Sequence, residues 1–209
     1  MYRLKLLLSL FVGIVMLNGE ILAQRRYEKG FVVLNSGDTL QGKVRDGASF
    51  FGTALNTRLK YKQGWWFAKK YYARELLGYQ VGQEKYETIW YSTPPTLFSS
   101  TLIVIPGTGQ AEFFRVLEKG ALTLYTLNQR SADTDYFDYI PYLKKENSRE
   151  MVRATQGIFG LKKKLLAEYF EDCPKLSEAI TEKKLDSVFD VIEYYNKYCQ
   201  PGKYFNPDY

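Results

Sequence analysis

From Tyr27 to about Arg153 the chain repeats one unit: a short apolar run, a polar or glycine-bearing turn, and a second short run. Phe31-Val32-Val33-Leu34 leads into Asn35-Ser36-Gly37-Asp38. From Thr39 to Val44, Leu40, Gly42 and Val44 then alternate with Thr39, Gln41 and Lys43. Period two beside a glycine turn is the pattern of a β-hairpin, because successive strand side chains point to opposite faces. Leu76 to Val81 and Lys85 to Tyr91 flank Gly82-Gln83-Glu84, and Ala111 to Glu118 and Ala121 to Leu127 flank Lys119-Gly120. Tyr139 to Lys144 and Glu150 to Arg153 flank a turn around Glu146-Asn147-Ser148, and Thr101 to Ile105 is a further strand ended by Pro106-Gly107. Pro141 has no N–H to give to a ladder, which places its strand at a sheet edge. Sequential hairpins without strand–helix alternation predict an antiparallel sheet of roughly eight to ten strands, open, barrel-like or a sandwich.

After Thr155 the period changes. Ile158, Leu161, Leu165, Leu166 and Tyr169 share one helical face, with Lys162 to Lys164 largely opposite. Asp172-Cys173-Pro174 ends that helix, and Pro174 suits the first turn of a second one carrying Leu176 and Ile180. A third helix runs from about Lys184 to Tyr198, with Leu185, Val188, Phe189, Ile192 and Tyr195 on its buried face, and Pro201-Gly202 ends it. The fold class is therefore α+β, a mainly antiparallel sheet with a C-terminal cap of about three helices packed on it and covering an edge. The chain divides into a signal peptide (1–23), a β domain (24–153), a helical cap (154–200) and a tail (201–209).

The signal peptide is read from Arg3 and Lys5, the apolar stretch from Leu6 to Leu17, and Ala23 before Gln24. The stretch is shorter than the roughly 20 apolar residues a bilayer span needs. Export with cleavage after Ala23 is expected, with an uncleaved anchor as the alternative. The destination is the periplasm, the outer-membrane periphery or the extracellular space, and no transmembrane segment is expected in the mature chain. In such a compartment Cys173 and Cys199 read most simply as one disulfide, with two free thiols as the alternative.

The segment Gly30 to Val44, with Gly37-Asp38-Thr39-Leu40-Gln41-Gly42 at its centre, resembles the opening hairpin of a group of uncharacterised exported proteins of Bacteroidota. Leu166 to Leu176, containing Asp172-Cys173-Pro174-Lys175-Leu176, is similar to the C-terminal helices of that group, as are Tyr195-Asn196 and Cys199. The resemblance implies export and a shared fold, and it carries no activity and no site residue.

The 209 residues include no histidine and two cysteines. That composition excludes a Ser-His-Asp triad, a Cys-His dyad, histidine metal sites and a four-cysteine zinc ribbon. The net charge of +6 drops by one when Arg3, Lys5 and Glu20 leave with the signal peptide, and it is too low to point to nucleic acid. Residues 58–74 hold the densest chemical signal: Arg58, Lys60, Lys62, Lys69, Lys70 and Arg74 without an acidic residue, interleaved with Tyr61, Trp65, Trp66, Phe67, Tyr71 and Tyr72. The candidate ligand-binding residues are Lys60, Lys62, Trp65, Trp66, Lys69, Lys70, Tyr71 and Arg74. Cations of this kind pair with phosphates or sulfates, and aromatic faces stack on sugars or bases. The alternation Leu59-Lys60-Tyr61-Lys62 also suits an ordinary strand with core-facing aromatics and solvated lysines.

Other features carry less. Asp133 and Asp135 fit a calcium loop, but Asp138 stands where glycine is required and Lys144 where glutamate is required. Gly107-Thr108-Gly109 lacks the Gly-Lys-Ser/Thr of a phosphate loop. Glu84, Glu87, Glu112 and Glu118 are the carboxylates from which a glycosidase pair would have to come. Tyr194, Tyr195, Tyr198, Tyr204, Phe205 and Tyr209 form either a docking surface or, at Tyr195 and Tyr198, packing beneath the cap. No catalytic residue, metal or cofactor is assigned. The resulting expectation is an exported envelope protein with a non-enzymatic binding or assembly role and an envelope protein partner. One alternative is a binder of anionic glycan or lipid through residues 58–74; the other is a carboxylate-dependent polysaccharide hydrolase.

Overall fold

Alternating side chains and tight turns produce the expected hairpins in the computed structural model, which describes residues 27–46, 56–64, 67–92, 100–130, 137–156 and 160–199. The strands are β1 (Glu28–Leu34), β2 (Thr39–Asp46), β3 (Arg58–Lys62), β4 (Lys69–Tyr72), β5 (Leu76–Val81) and β6 (Glu84–Tyr91). After them come β7 (Thr101–Ile103), β8 (Gln110–Glu118), β9 (Leu122–Arg130), β10 (Phe137–Lys145) and β11 (Glu150–Arg153). Among the described residues they form one open 11-stranded sheet in the order β4-β3-β2-β1-β5-β6-β8-β9-β10-β11-β7. The β1–β2 turn depends on Gly37, whose φ of 91° is reached without strain only by a residue lacking Cβ. The signal peptide, Asp133, Asp135 and the tail lie outside the described residues.

Pro141 does not mark an edge, since β10 lies between β9 and β11. The Pro141 carbonyl accepts from Ala154 N at 2.9 Å. A strand residue directs its N and its C=O to the same side, so the missing N–H of Pro141 falls where β11 has already ended at Arg153.

The sheet carries two strand cores on opposite faces. The first comprises Val32, Val44, Leu59, Tyr61, Tyr71, Leu76, Tyr79, Tyr86 and Phe113; the second comprises Ile89, Tyr91, Leu102, Phe114, Tyr125, Leu127, Ile140, Tyr142 and Met151. Phe113 and its neighbour Phe114 are both buried and point to opposite faces of β8. Each half of the sheet curls around its own core. In the first half Phe113 N donates to Asn56 O at 2.7 Å and Ala73 N to Thr57 O at 2.8 Å. In the second half Val104 bridges Tyr91, and Ile105 N donates to Trp90 O at 3.1 Å.

A third core lies under the cap, on the other face of β9–β11. Leu122, Leu124, Leu143 and Val152 pack there against Leu166, Phe170, Leu176, Ile180, Val191, Ile192 and Tyr195. The cap thus covers a sheet face rather than an edge, because β9–β11 are apolar on both faces. Its helices are α1 (Lys163–Tyr169), α2 (Pro174–Thr181) and α3 (Val188–Tyr194), with a π-helical turn at Tyr195–Cys199. Pro174 opens α2 as expected, while the third helix begins only after the Ser187 N-cap. Phe189, placed on the buried face by the sequence, is 55% exposed: at about 100° per residue it lies well off the arc of Val188, Val191, Ile192 and Tyr195. Leu185 is only half-buried.

The disulfide joins Cys173, just ahead of α2, to Cys199 at the end of the π-turn. Between them the Asn196 side chain accepts from Leu122 N at 2.8 Å and donates to Leu122 O at 3.1 Å, so the turn continues the β9 hydrogen bonding. Lys145 at the end of β10 joins sheet and cap: its ammonium meets Asp172 at 2.6 Å and lies over the rings of Tyr169, Phe170 and Tyr195. Burial alone would raise the Asp172 pKa, but hydrogen bonds from Lys145 and from Tyr195 at 2.6 Å outweigh it and hold the carboxyl below its usual value.

Two tests follow from the cap. Replacing Cys173 and Cys199 by serine should lower unfolding stability by about 3–4 kcal/mol in the chain-entropy account, read by denaturant titration. The lowered Asp172 pKa stabilises the fold above the usual carboxylate value, and this contribution disappears as pH falls through the folded-state pKa. Asp172→Asn should therefore destabilise at pH 7, and the gap to the wild type should narrow in acid.

Candidate functional site: a cationic sheet face

Strand register determines which cations of the first half meet. In β2–β3, Lys43 pairs with Lys62 and Arg45 with Lys60; in β3–β4, Lys60 pairs with Lys70 and Arg58 with Tyr72; in β1–β2, Lys29 pairs with Lys43. All of these side chains lie on the face opposite the Val32–Tyr61–Tyr71 core. Two rows of like charge result, Lys29–Lys43–Lys62 and Arg45–Lys60–Lys70. Among the described residues none of these cations is ion-paired with a carboxylate. Neighbouring strands are about 4.8 Å apart, and unit charges at that spacing repel by roughly 0.9 kcal/mol per pair in a water-like medium, less where side-chain spread and salt reduce it.

Two tyrosines hold four of the cations in place. Arg45 and Lys62 lie over the Tyr27 ring at 4.8 Å and 4.3 Å, and Lys70 and Arg74 over the Tyr72 ring at 4.8 Å and 5.6 Å. The Tyr72 hydroxyl titrates below its usual value, chiefly because the Lys70 ammonium lies against it, with Arg58 and Arg74 adding to the effect. This lowering reports positive potential at the face.

The sequence-derived candidates separate accordingly. Lys60, Lys62 and Lys70 share the cationic face, and Arg74 joins them through Tyr72. Tyr71 does not belong to the site: it is a buried core residue on the other face, edge-on to Tyr61, and Lys69 sits over its ring at 4.3 Å on that same face. Trp65 and Trp66 lie outside the described residues. The sequence reading missed Tyr27, Lys29, Lys43 and Arg45. The alternation of Gln41 and Lys43 with Leu40 and Val44 was the available signal, but pairing with β3 is not readable from it.

Of the four glutamates, Glu84 and Glu87 are ion-paired, whereas Glu112 and Glu118 are set apart by burial. Glu84, on the opposite face from Glu87 and Glu112, pairs with Arg115 at 3.0 Å and accepts from the Tyr86 hydroxyl at 2.8 Å. Glu87 pairs with Lys119 and accepts from the Tyr125 hydroxyl at 2.6 Å. Burial raises the Glu112 pKa, and the nearby Tyr91 hydroxyl, which makes no well-formed hydrogen bond to it, offsets this only in part. Burial, then the charge of Glu193, raises Glu118. Gly107 and Gly109 both adopt positive φ in the β7–β8 connection. Of the C-terminal tyrosines, Tyr195 is buried under the cap, whereas Tyr198 is 57% exposed beside Tyr194. Among the described residues no group of three or more His, Cys, Asp or Glu side chains is placed to hold a metal ion.

No family model, no curated protein and no solved structure matches the chain. The site is therefore read from its geometry alone.

That geometry predicts the sign of one unusual substitution. Lys60 stands between Arg45 and Lys70, so Lys60→Glu exchanges two repulsive cross-strand pairs for attractive ones. It should stabilise the fold by about 0.5–1 kcal/mol at low salt, and the gain should fade as salt is added. Thermal melts at two ionic strengths check it, and a loss of stability at low salt would show that the cations do not oppose one another.

Proposed function

We propose that the protein is an exported component of the cell envelope that acts by binding rather than catalysis, and that it binds polyanions through the cationic face of β1–β4. The observation that carries this reading is the pair of same-sign rows, Lys29–Lys43–Lys62 and Arg45–Lys60–Lys70, on one side of three to four adjacent strands. Like charges directly opposite one another destabilise a sheet, and an anion laid across the rows removes that repulsion. Binding is thus supported by energy that the isolated face lacks. The binding reading is further supported by the carboxylates, since Glu84 and Glu87 are each ion-paired and lie on different faces.

Retention of the full mature chain on immobilised heparin, a soluble sulfated polyanion, tests the reading. Wild type should be retained and should elute with rising salt. Reversing Lys60, Lys62 and Lys70 to glutamate should move elution to much lower salt. Reversing the exposed cap residues Lys164 and Lys175 should have little effect. Equal elution of the two variants would remove the face from consideration.

A further inference from the structure

The cationic face ends beside an exposed aromatic residue. Phe67, in the β3–β4 connection, is 90% exposed. It lies at the same end of the sheet as the row Lys29–Lys43–Lys62, since β4 runs back along β3 from Lys69 opposite Tyr61. Lys62 closes one strand before it and Lys69 opens the next after it.

We propose that the polyanion is the surface of a lipid bilayer rich in anionic headgroups, with the cations of β1–β4 laid over the phosphates and Phe67 entering the interfacial layer. This rests on the polyanion reading and narrows it. Three observations favour a bilayer over a single polymer chain. First, the cations form a two-dimensional grid over several strands on an exposed face, whereas one linear polyanion needs a stripe or a groove. Second, both tyrosine rings within the grid are occupied: Arg45 and Lys62 cover Tyr27, and Lys70 and Arg74 flank Tyr72, so these rings are poorly placed to stack on sugars. Third, an exposed aromatic residue, Phe67, stands at the margin of the grid, where a side chain can leave water for the headgroup boundary. Basic residues and an aromatic residue act there in different ways, the first by attraction to anionic headgroups and the second by burial of apolar area.

These two components can be separated. The full mature chain is sedimented with vesicles of phosphatidylcholine alone and of phosphatidylcholine mixed with phosphatidylglycerol, in parallel with the heparin column. Wild type should bind the mixed vesicles and leave the neutral ones. Phe67→Ser, at an exposed position with no packing to lose, should bind the mixed vesicles about tenfold more weakly while its heparin elution stays unchanged. The Lys60, Lys62 and Lys70 reversal should lose both. If Phe67→Ser binds vesicles as wild type does, or if wild type binds heparin but no vesicles, the bilayer assignment falls and the polyanion reading stands. If wild type binds neither, both fall.

Discussion

The structure depends on the exchange of core faces at β8. Phe113 and Phe114 are consecutive, both are buried, and each belongs to a different core on a different side of the strand. A sheet packed on one face would leave one of them in water. Here each half packs its core on a different face, and β8 serves both by pairing with β6 from Gln110 to Val116 and with β9 only from Arg115 to Glu118. The edge freed at Phe113 is where Asn56 docks. Each half is then left with a second face, and sequence decides what becomes of it. On β9–β11 that face carries Leu122, Leu124, Leu143 and Val152, so it has to be covered, and the helical cap covers it. On β1–β4 it carries Lys29, Lys43, Arg45, Lys60, Lys62 and Lys70, of which Arg45 and Lys62 are half-buried and the others exposed.

The cap is held by more than apolar area. Lys145 is anchored at the junction by its ion pair with Asp172 and by the three rings around it, while Asp172 is held in turn by Tyr195. Asp172 precedes Cys173, and Tyr195 and Asn196 lie in the turn that ends at Cys199. One disulfide therefore restrains the residues that bind the cap to Lys145 and to Leu122. Its stabilising effect extends past the loop it closes to the positions of these polar partners.

Much of this was legible in the sequence, and the parts that were not share a physical cause. The hairpins around Gly37, Gly82 and Gly120 follow from local alternation and turn chemistry, and Pro174 marks a helix start because of its own backbone. Pro141 misled because its effect depends on where a neighbouring strand stops, here Arg153, and no local pattern records that. Phe189 misled because the arc that faces the sheet, Val188, Val191, Ile192 and Tyr195, is set by packing against distant residues such as Leu122 and Leu124, and Phe189 lies about 100° from Val188 and off that arc. The cationic site was half legible for the same reason. Lys60, Lys62 and Lys70 are close in sequence, but Lys29, Lys43 and Arg45 reach them only through ladder register between segments separated by turns. The core role of Tyr71 agrees with the ordinary strand, core-facing aromatics and solvated lysines, that the alternation Leu59-Lys60-Tyr61-Lys62 suits.

A row such as Arg45–Lys60–Lys70 runs against folding, so its geometry matters more than its charge count. Free lysines on a strand would splay apart to reduce repulsion, and a ligand would then have to gather them against side-chain entropy. Tyr27 limits that spread by holding Arg45 and Lys62 over one ring, and Tyr72 does the same for Lys70 and Arg74. Cation–π contacts at exposed sites contribute only about 0.5–1 kcal/mol each, which is the scale of the cross-strand repulsion they oppose. For Arg45, Lys62 and Lys70 the two are of similar size in the free protein, and these cations stay gathered at little net cost. An anionic surface meeting that face as proposed would encounter these charges already in position, and less of its attraction would be spent on gathering them.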